Sequence, residues 1–216
     1  MEFVLASHNR KKLKELGDIL GQLGVGVRPL PEDAPEPAET GETFEENALI
    51  KARAAAMLTG LPAIADDSGL CVDALGGAPG VYSARYGSEE YLDWCRQQGE
   101  TYLPAPLPPE ADDVARCQRL LEEMAAVPDG KRNAQFVCAI ACVLDNGDVF
   151  TVTGACEGEI TRHMEGAGGF GYDPLFFVPS QGCTFGQLPQ ESKNEISHRA
   201  RALHALAARL KNKIQE

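Results

Sequence analysis

No stretch of about 18 consecutive apolar residues occurs in the 216-residue chain, so nothing in it reads as a membrane span. The opening Met1-Glu2-Phe3-Val4-Leu5-Ala6 lacks the basic segment that precedes the apolar part of a secretory signal. Basic residues are scarce. Against 32 Asp and Glu there are 20 Lys and Arg, for a formal net charge of −12. That balance argues against a general nucleic-acid binder, which needs a basic footprint to displace counterions. A nucleotide is not excluded, because a local basic pocket or a metal ion overcomes the global field. The seven cysteines (Cys71, Cys95, Cys117, Cys138, Cys142, Cys156 and Cys183) include no Cys-x-x-Cys pair, which disfavours zinc and disulfide readings. They are expected as buried free thiols in a cytoplasmic protein. Cys138 and Cys142 sit in one apolar strand-like run and face the same way. There is no Walker A glycine loop. None of the cysteines has a convincing base partner and no Ser-His-Asp order stands out, so covalent catalysis is not favoured.

At 44% hydrophobic and 24% charged, the composition is that of an ordinary globular protein. Residues 2–6 predict a buried strand. From Asn9 the pattern turns helical, with Leu13, Leu16, Ile19, Leu20 and Leu23 on one face. Residues 28–41, rich in Pro and Glu, predict an exposed loop. Thr43-Phe44-Glu45-Glu46 matches a capping box and starts a helix that ends near Gly60. Ala63-Ile64-Ala65 reads as a buried strand ending at Asp66-Asp67-Ser68-Gly69, with a second short strand at Leu70-Cys71-Val72. A short helix over 88–98, a Pro-rich excursion over 103–109 and a helix over 111–126 follow. Asn146-Gly147 between two β-like runs, 134–144 and 148–156, predicts a hairpin. A glycine-rich turn at 166–174 leads into the buried run 175–178, and one helix runs from about 195 to 214. The mixture of strands and helices without repeats predicts a single α/β domain over 1–216, in two lobes with a cleft between them.

Three places carry residues suited to phosphate chemistry. Asp66-Asp67-Ser68-Gly69 reads equally as a plain turn or as a strand-end Mg²⁺ ligand, an ion that takes one or two carboxylates and leaves room for phosphates. On a strand the two carboxylates alternate sides, so only one would face the chemistry while the other braces the turn. Ser7, Asn9, Arg10, Lys11 and Lys12 gather where a strand enters a helix, a junction that offers free N–H groups and a positive dipole end. A solvated helix face is the alternative there. Lys193, His198 and Arg199, near the start of the last helix, offer donors of different geometry for phosphate or a purine carbonyl. The turn Gly168-Gly169-Phe170-Gly171-Tyr172-Asp173 adds an aromatic face for a base, or aromatics that only fill the core.

Taken together, these blocks resemble the inosine triphosphate pyrophosphatase family in its bacterial dITP/XTP branch. The resemblance rests on Ser7-x-Asn9-x-x-Lys12-x-x-Glu15, on Glu39 to Ala52, and on Ala65-Asp66-Asp67-Ser68-Gly69-Leu70. It continues through Gly76 to Arg85, Gly168 to Pro174, and Ser197-His198-Arg199, in the family's order over nearly the whole chain. It implies an elongated mixed sheet flanked by helices with a central nucleotide cleft, and hydrolysis of ITP, dITP and XTP to the monophosphate and pyrophosphate, with one Mg²⁺ per subunit (Mn²⁺ as a substitute) and a homodimer. Asp67 would be the catalytic carboxylate and a metal ligand, with Glu39 the second metal residue. Ser7, His8, Asn9, Arg10, Lys11, Lys12, Lys51, Ser68 and Lys193 would hold the triphosphate and its surroundings. Phe170, Gly171, Tyr172 and Asp173 would frame the base, and His198 with Arg199 would read its oxygen-bearing edge. Two departures stand out. Ser7-His8 replaces the Thr-Gly of many members, and a Pro-rich insertion lies around 88–110.

Overall fold

The computed structural model describes residues 2–7, 9–22, 24–31, 33–88 and 111–215, with backbone alone for 10, 11 and 213–215. His8, the side chains of Arg10 and Lys11, Cys95, the helix expected over 88–98 beyond Ser88 and the Pro-rich excursion lie outside the described residues.

The elements run β1 (Glu2–Leu5), α1 (Arg10–Gln22), β2 (Gly26–Pro29), α2 (Phe44–Thr59), β3 (Ala63–Val72), α3 (Asp113–Glu123), β4 (Asn133–Val143), β5 (Val149–Ile160), β6 (Phe176–Val178), β7 (Cys183–Thr184), α4 (Gln190–Ile196) and α5 (His198–Gln215). The seven strands form one mixed sheet in the order β2-β1-β3-β4-β5-β6-β7. β1 pairs in parallel with β2 and β3, while β6 is antiparallel to β5 and β7. The α/β class is as expected from sequence. The chain divides into two compact units, the first of Met1–Ser68, Val137–Ala155 and Asn194–Glu216, the second of Gly69–Phe136 and Cys156–Lys193.

In the first unit, Leu16, Ile19 and Leu20 of α1 and Leu203, Leu206 and Leu210 of α5 join one core with Phe3, Leu5, Ile64 and Ile140. Both helices show apolar residues at i, i+3/i+4 spacing, which is what lets one stripe of each be buried. Cys138 and Cys142 share that core, as their common strand face requires. Gly154 of β5 makes room for α5: a Cβ there would lie 2.4 Å from both the His198 carbonyl and the Ala202 nitrogen. α2 begins with the anticipated capping box, Thr43 Oγ1 accepting from the Glu46 nitrogen and Glu46 accepting from Thr43, and it ends at Gly60 in the left-handed region. Its buried face is mostly small, with Ala48, Ala52 and Ala55.

In the second unit, Phe136, Phe176 and Phe185 form an aromatic cluster with centroids 4.6–6.0 Å apart. Arg132, 5% exposed, donates to the carbonyls of Met124, Val127, Ile160 and Thr161, so one buried cation satisfies the end of α3 and the end of β5.

Three expectations are corrected and one element is new. Arg28 and Pro29 belong to β2, not to a loop, because Val4 and Leu5 offer them a parallel edge. β3 is one continuous strand, so Asp66 and Asp67 lie within it and not in a turn between two strands. The final helix is interrupted at Ser197, whose hydroxyl accepts from the Ala200 nitrogen and caps α5. β7 was not anticipated at all; two residues carry too short a pattern.

Candidate active site

β1 and β3 run side by side, with Val4 opposite Ala63 and Leu5 opposite Ile64. Asp66, Asp67 and Ser68 therefore continue past the last paired residue of β1, alongside the turn into α1. Ligands of open α/β sheets bind at such carboxyl ends of parallel strands. In that turn Ser7 Oγ accepts from the Asn9 nitrogen and Asn9 Oδ1 accepts from the Lys12 nitrogen. Ser7 and Asn9 thus shape the start of α1, and Lys12 in its first turn points an ammonium at Asp66, 3.6 Å from Oδ2.

The strand period sends the two aspartates to different partners, as alternation requires. Asp67 Oδ1 accepts from Lys51 Nζ at 3.0 Å, and the same ammonium donates to Glu39 Oε1 at 2.8 Å. Lys51 reaches this position from the second turn of α2. Glu39 is brought there by a loop that folds back on the helix start: the Gly41 nitrogen donates to Asn47 Oδ1 at 2.8 Å, and a Cβ on Gly41 would lie 2.6 Å from that of Glu46. Asp67 Oδ2 is buried with no hydrogen-bond partner among the described residues.

Asp66 faces a second cationic group. Arg199, 1% exposed, donates through NH1 to Glu15 Oε2 at 2.5 Å and through NH2 to Ser68 Oγ at 2.9 Å, with its Nε 3.4 Å from Asp66 Oδ2. The Ser68 hydroxyl in turn donates to Asp66 at 3.3 Å. Neighbouring aspartates end up with opposite shifts. Burial disfavours the charge on Asp66, but Lys12, Arg199 and Lys51 outweigh it and hold the carboxyl well below the usual range. Burial raises Asp67 above its ordinary value and Glu39 adds to the rise, since Lys51 and Lys12 offset only part of it. For Lys51 burial works against the charge, yet Asp67, Glu39 and Asp66 prevail and raise it.

The second unit holds its own cluster. Asp173 Oδ2 accepts from Lys193 Nζ at 2.6 Å and from the Phe170 nitrogen at 2.8 Å. Gly169, at φ +72°, is obligatory, because its Cβ would fall 1.9 Å from Asp173 Oδ2. Lys193 Nζ stands 4.8 Å from the centroid of the half-buried Phe170 ring. Tyr172 is buried, and its hydroxyl donates to the Ser83 carbonyl at 2.8 Å. Ser83 also ties this segment to β3, accepting from the Leu70 nitrogen and donating to the Gly80 carbonyl.

A family model described as the Ham1 family matches residues 3–209. The chain belongs to the Ham1 family. It is 49% identical over 212 residues to a protein of Pseudomonas aeruginosa called dITP/XTP pyrophosphatase, covering 97% of this chain and 96% of that one. A protein of the same name from Haemophilus ducreyi is 47% identical, covering 97% and 98%. Among solved structures, a Ham1 protein from Coxiella burnetii superposes with a TM-score of 0.81 at 43% identity, covering 98% and 99%. The Ham1 protein of Staphylococcus aureus gives 0.79 at 37% identity, covering 99% and 100%. The family read from the motifs is the family these matches show.

Of the residues picked from the sequence, Ser7, Asn9, Lys12, Glu39, Lys51, Asp67, Ser68, His198 and Arg199 fall in the first unit of this Ham1 protein, and Phe170 to Asp173 with Lys193 in the second. Arg199 is buried, and its donors are engaged by Glu15, Asp66 and Ser68. Tyr172 is also buried, its hydroxyl held by the Ser83 carbonyl. His198 is buried in the first turn of α5, and Lys193 lies within α4, not at a helix start. Sequence reasoning missed the partnerships of Glu15 and Asp66. The available signal was an acid on the apolar side of α1, beside Leu16 and three residues after Lys12, a position where burial demands a cation.

Proposed function

We propose that this Ham1 protein hydrolyses deaminated purine nucleoside triphosphates, dITP/ITP and XTP/dXTP, to the monophosphate and pyrophosphate. The names of its full-length relatives support the reaction, and the Glu39–Lys51–Asp67 cluster is the observation that supports its placement. Water attacks the α-phosphorus, the α–β bridging bond breaks, and pyrophosphate leaves with the bridging oxygen.

The donor set fits Mg²⁺. Asp67 presents a buried oxygen with no partner among the described residues, and Glu39 shares the same ammonium. No group of three or more His, Cys, Asp or Glu is arranged for a metal among the described residues. Two carboxylates would suit an ion which uses one or two of them and completes its shell with water and phosphate. When bound, Mg²⁺ supplies charge neutralisation and polarisation of the phosphates. Asp67 and Glu39 would hold it. Lys12 and Lys51 would orient the triphosphate, with the backbone at the start of α1 meeting its charge. Asp67, which would also help hold the ion, is the group we assign to receive the proton of the attacking water. The purine 6-carbonyl, present in hypoxanthine and xanthine and replaced by an amino group in adenine, would meet donors whose loss costs about 1–3 kcal/mol each.

The test is pyrophosphate release from ITP, XTP, GTP and ATP, with Mg²⁺ and with chelator. Release from ITP and XTP that stops on chelation is expected, and Asp67→Asn should lose about a thousandfold or more in kcat while keeping the native circular dichroism. Chelator-resistant turnover, or an active Asp67→Asn, would refute the assignment. The same reading includes a homodimer in the cytoplasm. Light scattering checks the dimer by giving twice the chain mass.

A further inference from the structure

Lys51 is placed where a divalent cation would be needed. Its ammonium bridges Glu39 Oε1 at 2.8 Å and Asp67 Oδ1 at 3.0 Å, and its side chain is only 13% exposed. Two carboxylates this close and this buried repel unless a cation lies between them. The nearby ammonium of Lys12 is directed at Asp66, 3.6 Å from Oδ2, while that of Lys51 bridges this pair.

We propose that Lys51 is a built-in competitor for the metal, holding Glu39 and Asp67 together until metal and polyphosphate arrive jointly. This rests on the reading that Glu39 and Asp67 take Mg²⁺. A metal ion alone must displace the ammonium from both carboxylates and strand it, desolvated, beside a second positive charge. A triphosphate removes that obstacle by giving Lys51 an anion to turn to. Metal and nucleotide therefore bind with positive coupling, and by linkage each tightens the other by the same factor. The arrangement keeps the site from holding free metal and reserves it for the metal–nucleotide complex.

Titration of Mn²⁺, followed by its electron paramagnetic resonance signal, tests this in wild type and Lys51→Met. It is run with and without an ITP analogue carrying a methylene between the α- and β-phosphorus. Wild type should bind Mn²⁺ weakly alone and about tenfold or more tightly with the analogue. Lys51→Met should bind Mn²⁺ alone about tenfold more tightly than wild type and lose most of the coupling. Should Lys51→Met need metal to fold, the same displacement appears as a melting temperature that climbs more steeply with Mn²⁺ than that of wild type. A Lys51→Met protein that gains neither Mn²⁺ affinity nor Mn²⁺-dependent melting over wild type overturns the competition while leaving the metal site in place. Absence of Mn²⁺ binding by both proteins, even with the analogue, overturns the metal site and this inference together.

Discussion

Arg199→Met would remove the cation around which the buried acids of the first unit are arranged. In the native chain the guanidinium is 1% exposed, Glu15 3% and Asp66 2%. After the change Asp66 keeps Lys12 at 3.6 Å. Glu15 keeps nothing: Oε1 is already buried without a hydrogen-bond partner among the described residues, and Oε2 loses its 2.5 Å bond. Removing one partner of a buried pair costs about 3–5 kcal/mol, against 0–1 for an exposed pair. Urea unfolding followed by circular dichroism at pH 7 should show a loss of that size, with a fall in melting temperature on the order of 10 °C for a chain of this length. The cost is the stranded charge, not the missing contact. Glu15→Leu combined with Arg199→Met should therefore lie about 2 kcal/mol or more above the sum of the single changes. A single-variant loss below about 1 kcal/mol, or strict additivity in the double variant, would show that Glu15 is hydrated and that the desolvated network described here is wrong.

Three further outcomes can be checked. Gly154→Ala drives a methyl into the backbone of α5, 2.4 Å from two main-chain atoms, and should cost about 1–3 kcal/mol in urea melts; a neutral result would mean that α5 shifts freely on β5. Gly169→Ala expels the Asp173 carboxylate from Phe170 and Lys193, so a loss of roughly 3 kcal/mol or more is expected, and Ala at a neighbouring exposed position such as Ala167 to Ser should do nothing measurable. Asp66 has a depressed carboxyl in the folded chain, so the unfolded chain binds its proton first as pH falls. Its stabilisation is full above about pH 4 and drains away below that. Asp66→Asn should thus be less stable than wild type at pH 6 but show a flatter decline in urea midpoint between pH 5 and pH 2; an equally steep decline would assign the acid sensitivity to other groups.

Much of the fold and site was legible because its signals are local. The capping box at Thr43, the 3.6-residue stripes of α1 and α5, the Asn146-Gly147 turn and the alternation of Asp66 and Asp67 across β3 each need only neighbouring residues. Gly41 and Gly169 could be suspected of special duty from their setting, but the side chains they make room for were not visible in the sequence.

What the sequence by itself determined is the α/β class, the family, and the inventory of carboxylates and cations around Asp67. Which cation serves which carboxylate was decided by the tertiary structure. Arg199 meets Glu15 across 184 positions of chain, and Lys51 bridges Glu39 and Asp67 from a separate helix. β2 and β7 likewise exist because a neighbouring strand offers an edge, and Ser197 breaks the final helix by capping its second half. The reason is the same throughout. Periodicity reports which side of an element is buried, whereas the partner of a buried charge depends on what is packed against that side, and packing is set by residues far away in the chain.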